Sequence, residues 1–191
     1  MREQKSILQD LDWTLVGIYL LMVFVGWMNI YAAVYNEEHQ SLFDLTQNYG
    51  RQAIWIIGAM VIAMMILVID GKFYAAFSYP IYGLVLLMCL STFAFARDVK
   101  GSYGWIDIGH FKLQPAEFAK FATNMALAKY LSTLGIQMQH LRTKVISFLL
   151  IGIPTGIILL QNDTGSAMVF ASFVFVLYRE GLSGNVLLLG F

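Results

Sequence analysis

The chain has 191 residues, of which 59% are hydrophobic and only 13% are charged, and this composition excludes an ordinary water-soluble domain. Its 12 basic and 12 acidic side chains give a net charge of zero. Because the basic residues are scattered along the chain, we expect no nucleic-acid partner. The single cysteine, Cys89, excludes an intramolecular disulfide and a cysteine-rich metal site.

The apolar residues fall in long blocks, each close to the roughly 20 residues that an α-helix needs to cross about 30 Å of hydrocarbon. The first block is too long for the apolar core of a signal peptide and precedes no small-residue cleavage site, so we interpret it as a retained span. The predicted spans cover residues 13–34, 53–69, 73–95, 116–134, 145–160 and 165–178. We therefore predict an all-α fold, a single polytopic transmembrane helical bundle over residues 1–191 with about six spans.

The apolar segment 187–191 resembles the start of a seventh span. A helix cut short inside the bilayer would leave backbone groups unsatisfied, so we expect a natural C-terminal portion beyond it. Lysine and arginine are more frequent in the short loops on the side of the N-terminus, which predicts a cytoplasmic N-terminus. This orientation places the loop 97–112 outside, where its cationic character favours an anionic ligand.

The first polar motif, QPAEFAK, opens the fourth predicted span. Gln114 suits the N-cap position, Pro115 the first helical position, and Glu117 the third, where a carboxylate meets the positive end of the helix dipole. Capping alone does not explain Lys120, because an unpaired charge at mid-depth costs about 2.5–3.5 kcal/mol. We expect Glu117 and Lys120 to pair across one helix face and to point into the bundle.

The second polar motif, QNDTGS at 161–166, lies between two short apolar blocks. Short spans broken by glycine and proline indicate a polar turn below the membrane surface, and such turns recur as binding sites. Asn162 or Asp163 is alternatively no more than the N-cap of the next helix. Arg51 is either a site residue or a side chain snorkelling from the second span, and Trp105 is either a site residue or part of an interfacial aromatic belt.

No motif of a soluble enzyme is present: there is no glycine-rich phosphate loop between strand and helix, no HExxH and no GxSxG. His110 has no partner at metal-ligand spacing, and Asp107 and His110 are interpreted as solvated loop residues. We expect no cofactor and no metal site, and the sequence gives no support for a divalent cation.

The motifs taken together resemble a known family. KGSYGWIDIG at 100–109, QPAEFAK at 114–120 and QNDTGS at 161–166 follow an RQ pair at Arg51 and Gln52, and their order resembles the SEDS membrane glycosyltransferases, the RodA and FtsW proteins of bacterial shape, elongation, division and sporulation. The resemblance covers the whole chain, and the WIDIG string is more similar to RodA than to FtsW.

The resemblance implies a peptidoglycan glycosyltransferase of the bacterial cytoplasmic membrane, which polymerises lipid II beside a class B penicillin-binding protein. Its reaction needs a base for the acceptor hydroxyl and cationic stabilisation of the undecaprenyl pyrophosphate that leaves. The substrate-binding residues that the resemblance implies are Arg51, Trp105, Gln114, Glu117, Lys120 and Asp163. The family's presumed catalytic aspartate would follow Phe191, so no catalytic base is assigned and this stretch alone is expected to be inactive.

Four residues depart from the family pattern. Gly104 stands where an arginine commonly precedes the tryptophan, which weakens any pyrophosphate contact there. Ala116 replaces the serine of QPSE, while Asn162 and Ser166 replace the proline and the threonine of QPDLGT.

Two other classes of function remain open. A transporter or lipid II flippase would also place charged residues in a membrane cavity and would need access from both sides. The third class is a non-catalytic membrane scaffold for a transpeptidase, which would bind its partner through apolar helix faces.

Overall fold

The computed structural model describes residues 11–34, 45–96, 101–109, 111–133 and 137–184. These residues form seven α-helices and one small antiparallel sheet. In chain order the elements are α1 (Trp13–Val34), α2 (Asn48–Val68), α3 (Gly71–Phe95), β1 (Ile106–Ile108), β2 (Phe111–Leu113), α4 (Pro115–Leu131), α5 (Leu141–Leu160), α6 (Thr164–Val169) and α7 (Ser172–Arg179). The chain divides into two compact units, Met1–Asp70 and Gly71–Phe191.

The first unit contains α1 and α2. The Trp27 indole donates a hydrogen bond to the backbone carbonyl of Tyr49 over 2.9 Å, and the Tyr31 and Tyr49 rings pack edge to face with centroids 5.0 Å apart. These contacts join the end of α1 to the first turn of α2. No side chain of α1 is buried by the described part of the chain, as befits a helix whose apolar surface meets lipid.

The second unit is built around α4. Its buried face consists mainly of small residues, namely Ala116, Ala119, Ala122, Thr123 and Ala126. Small side chains allow neighbouring helix backbones to approach closely, which is how membrane helices pack when lipid is as apolar as the core. Val85 and Cys89 of α3 and Ile151 and Ile158 of α5 belong to the same buried cluster.

Strands β1 and β2 form a hairpin that the sequence did not predict. Ile106 pairs with Leu113, and Asp107 pairs with Lys112. The chain turns through Gly109, whose φ of +62° suits glycine. Asp107 is exposed on β1, so the interpretation of this residue as part of an irregular loop was wrong; His110 lies outside the described residues.

The predicted span 165–178 is not one continuous helix. After α6 the backbone tightens, because the amides of Phe170 and Ala171 bond to carbonyls three residues earlier over 3.0 and 3.1 Å. Phe170 and Phe173 are both buried, with ring centroids 5.9 Å apart. A helix of six residues and one of eight reach only about 9 and 12 Å at 1.5 Å per residue, so neither crosses a bilayer alone.

Four of the described helices, α1, α2, α3 and α5, are each long and apolar enough to cross a membrane. Helix α4 has 17 residues and is slightly shorter than a typical span. The protein is therefore a polytopic helical membrane protein, in agreement with the predicted fold class. The cytoplasmic position of the N-terminus and the organisation as one domain stay predictions.

Candidate functional site

The two polar motifs meet in the second unit. The Gln114 side-chain amide donates to Asp163 Oδ2 over 2.6 Å and to Ser166 Oγ over 3.2 Å. Gln114 is the N-cap residue of α4 and Pro115 opens the helix, as predicted, but the Gln114 side chain does not cap α4. It reaches instead to the start of α6, so residues 49 positions apart in sequence form one polar contact.

Asp163 has two roles in this contact. Its Oδ1 accepts a hydrogen bond from the Ser166 amide over 3.1 Å, which makes it the N-cap of α6. Its Oδ2 accepts from Gln114. The N-cap alternative weighed from the sequence is therefore correct for Asp163, and the second carboxylate oxygen also joins the motifs.

A tight turn brings Asp163 to this position. Asn162 has a φ of +58°, its amide bonds to the Leu159 carbonyl over 3.0 Å, and the Asp163 amide bonds to the Ile158 carbonyl over 3.2 Å. This pattern is a Schellman motif, which ends a helix with one left-handed residue. Proline, whose φ is fixed near −65°, cannot adopt this conformation, which explains locally why this chain carries asparagine where the resembling family has proline.

Gln161 anchors the turn, and the sequence interpretation did not single it out. It is 1% exposed, and its side-chain Nε2 donates to the Cys89 carbonyl and to Thr92 Oγ1, both over 2.9 Å. Its backbone carbonyl accepts from the Tyr103 amide over 2.9 Å. One side chain thus fixes the end of α5 against α3 and against the loop before β1. A polar residue that ends an apolar block was the available signal.

The loop that Gln161 holds contains Gly104 and Trp105. Gly104 is buried, and a Cβ at this position would lie 3.4 Å from Gln161 Oε1 and 3.5 Å from Asp163 Oδ2. Trp105 is half-buried and directly precedes β1. The loop therefore lies beside the turn that carries Asp163.

Glu117 and Lys120 form the pair that their spacing predicts. The Lys120 ammonium lies 2.7 Å from each carboxylate oxygen of Glu117. The Lys120 side chain is 26% exposed and that of Glu117 is 55% exposed. The described residues therefore leave the Glu117 carboxylate more than half open, whereas the sequence predicted that both side chains face the interior.

Arg51 belongs to the first unit. It is exposed in the first turn of α2, and its guanidinium donates to Asn48 Oδ1 over 3.0 Å and to the Thr46 carbonyl over 3.4 Å. Its participation in the same site as Gln114 and Asp163 stays a prediction.

The geometry of the second unit suits recognition of a polar ligand more than acid–base catalysis. It offers an ammonium at Lys120, carboxylates at Glu117 and Asp163, and amides at Gln114 and Gln161. Within the described ranges, no group of three or more His, Cys, Asp or Glu side chains is placed to hold a metal ion.

A family model described as a cell cycle protein of the FtsW, RodA and SpoVE type matches residues 12–191. The chain belongs to the FtsW/RodA/SpoVE family. Relatives of this family include peptidoglycan glycosyltransferase RodA of Treponema pallidum, 28% identical over 171 residues, which are 88% of this chain and 38% of the relative. Peptidoglycan glycosyltransferase MrdB of Escherichia coli is 26% identical over 178 residues, 93% of this chain and 46% of the relative.

Solved structures of FtsW/RodA/SpoVE proteins share the fold. The crystal structure of the Thermus thermophilus rod shape determining protein RodA matches with a TM-score of 0.81 and 27% identity, over 95% of this chain and 57% of that one. A chain of a peptidoglycan synthase complex that coordinates polymerization and crosslinking matches with a TM-score of 0.79 and 27% identity, over 95% of this chain and 51% of that one. The chain thus spans about half the length of the family members it matches.

Proposed function

We propose that the protein containing this chain is a peptidoglycan glycosyltransferase that polymerises lipid II into glycan strands, and that this chain forms part of the substrate cavity. The support is the family match over residues 12–191 and the glycosyltransferase activity in the names of relatives from two bacteria. Because the chain spans about half of those relatives, we assign it substrate binding and no catalytic base.

The contact between Gln114 and Asp163 carries the proposal for the site. It joins two motifs that are far apart in sequence into one polar surface at the ends of α4 and α5. Amide and carboxylate groups of this kind match the hydroxyl and acetamido groups of a sugar. The Lys120 ammonium supplies positive charge for a pyrophosphate, which carries the negative charge that develops as the glycosidic bond to the lipid breaks.

Three further residues complete the proposed binding surface. Glu117 holds the Lys120 ammonium in place through its two carboxylate contacts. Trp105 offers an aromatic face against which a sugar ring packs. Arg51, exposed at the start of α2, adds a second cation for the pyrophosphate.

We also propose that the protein works in the bacterial cytoplasmic membrane beside a class B penicillin-binding protein. Its four long apolar helices suit a multi-pass position, and the similar chain in a peptidoglycan synthase complex supports a crosslinking partner. No nucleic acid or resident cofactor is part of the proposal.

The test uses the full-length protein, purified with its transpeptidase partner and supplied with lipid II. Glycan polymer resolved on a gel is the expected product. Lys120→Met and Gln114→Leu should reduce polymer at least tenfold, since each removes a group that contacts substrate. Lys129→Met, at the other end of α4, is the matched control and should retain activity.

The same preparation distinguishes the alternatives. Lipid II that crosses a proteoliposome membrane without forming polymer would support a flippase and contradict the proposal. If Glu117→Ala and Asp163→Ala left polymerisation intact and partner binding unchanged, the scaffold interpretation would replace it.

A further inference from the structure

One buried polar atom next to the candidate site has no partner. Gln161 is 1% exposed, and its Oε1 makes no hydrogen bond to any other group of the protein. The orientation of the amide is fixed by chemistry, because the Cys89 carbonyl can only accept and must therefore face the Nε2 group. Oε1 then points away from α3, towards the loop at Gly104.

Two further oxygens surround the same point. A Cβ at Gly104 would lie 3.4 Å from Gln161 Oε1, 3.4 Å from Ser102 Oγ and 3.5 Å from Asp163 Oδ2. The three oxygens come from the loop before β1, the end of α5 and the start of α6. The missing side chain of Gly104 thus leaves a small space bordered by oxygens from three chain segments.

The charge around this space is negative. Asp163 hydrogen-bonds to Gln114 and Ser166, and no lysine or arginine in the described part of the chain forms an ion pair with it. The carboxyl end of α5, at Leu160, adds the negative pole of a 20-residue helix. An unpaired buried oxygen in such a field is stabilised by a donor or a cation, and otherwise costs about 1–3 kcal/mol.

We propose that this space, bordered by Ser102, Gln161 and Asp163, binds a monovalent cation of the size of sodium. The ligand class follows from the donor set: one carboxylate and two neutral oxygens balance a single positive charge and suit a hard cation. The helix break between α5 and α6 has the geometry of the cation sites at discontinuous helices of membrane proteins, where helix carboxyl ends coordinate sodium.

The cation would hold the loop before β1 against the turn at Asp163. It satisfies Gln161 Oε1 and neutralises Asp163, and so fixes the polar surface formed with Gln114. This inference goes beyond the proposed function and does not depend on it, because cation binding requires neither lipid II nor a partner.

The test measures thermal unfolding of the full-length protein in detergent, at constant ionic strength set with choline chloride. Sodium chloride should raise the apparent Tm in a saturable manner. Asp163→Asn, which removes the negative charge, should abolish this rise. Gly104→Ala should raise the half-saturating sodium concentration at least tenfold, because its methyl group occupies the space.

Gly156→Ala is the matched control, because no described atom lies within 4 Å of a Cβ at this position of α5. It should respond to sodium like the wild type. An equal Tm in sodium, potassium and choline, or an unchanged sodium response in Gly104→Ala, would overturn the proposal and leave water as the occupant.

Radioactive sodium dialysis of the wild type gives a readout that needs no variant. We expect about one bound ion per chain, displaced by excess unlabelled sodium. Absence of displaceable sodium would contradict the proposal whatever the outcome for polymerisation, and loss of polymerisation alone would leave it standing.

Discussion

Replacing Gln161 with glutamate tests whether this buried amide organises the outer end of the second unit. The substitution keeps the shape and replaces Nε2, which donates to the Cys89 carbonyl and Thr92 Oγ1 over 2.9 Å, with an acceptor oxygen. Two hydrogen bonds at about 1 kcal/mol each are lost. A carboxylate in a fully buried position adds a desolvation cost, which brings the total to about 3–5 kcal/mol.

Gln161→Met separates the two costs, because it removes the hydrogen bonds without adding charge and should cost about 2 kcal/mol. The measurement is the apparent Tm of the full-length protein in detergent, which should fall in the order wild type, Gln161→Met, Gln161→Glu. Gln137→Glu, an exposed position in the loop before α5, is the matched control and should leave Tm unchanged. A Gln161→Glu protein that unfolds at the wild-type temperature would refute this account of the residue.

Three other substitutions have defined expectations. Asn162→Gly should preserve stability, whereas Asn162→Ala should lower the free energy of unfolding by about 1–2 kcal/mol because of its left-handed φ; equal Tm values for the two would contradict the assigned turn. Glu117→Gln should cost less than about 1 kcal/mol, since its pair with Lys120 is largely exposed, but should reduce polymerisation at least tenfold; a large fall in Tm with intact activity would reverse the assignment. Gln114→Glu should reduce polymerisation more than Gln114→Leu, because it places a carboxylate against Asp163 where the amide now lies 2.6 Å away, and a fully active Gln114→Glu protein would exclude that contact from the site.

The sequence predicts helices best where an apolar block and a helix coincide. The bounds of α1, 13–34, are the predicted ones, and α3 ends at Phe95 as expected. Helix α2 begins at Asn48 instead of residue 53 because its first turn is polar, and hydropathy alone does not count such a turn. Helix α4 ends at Leu131, short of 134, because the hydroxyls of the next two residues bond to the Lys129 carbonyl and close the helix.

The parts of the site that escaped prediction depend on contacts between distant residues. The sequence shows that Gln114 and Asp163 are polar residues at helix starts, but it does not show that they touch. Gln161 looked like the edge of a motif, and only the packing of α5 against α3 shows that its amide is buried. The hairpin was missed because three-residue strands are too short to produce an alternating pattern.

The alanine-rich face of α4 gives the polar contact an unusual dependence on apolar chemistry. At Ala116, Ala119, Ala122 and Ala126 a methyl group is all that separates the helix from its neighbours, so backbone contact sets the interhelical distance. Gln114 and Asp163 lie at the end of this stack and inherit their separation from contacts up to about 18 Å deeper in the bilayer. Exchange of one aliphatic residue for a bulkier one, harmless on a lipid-facing surface, would here be read out as lost alignment of the head-group site.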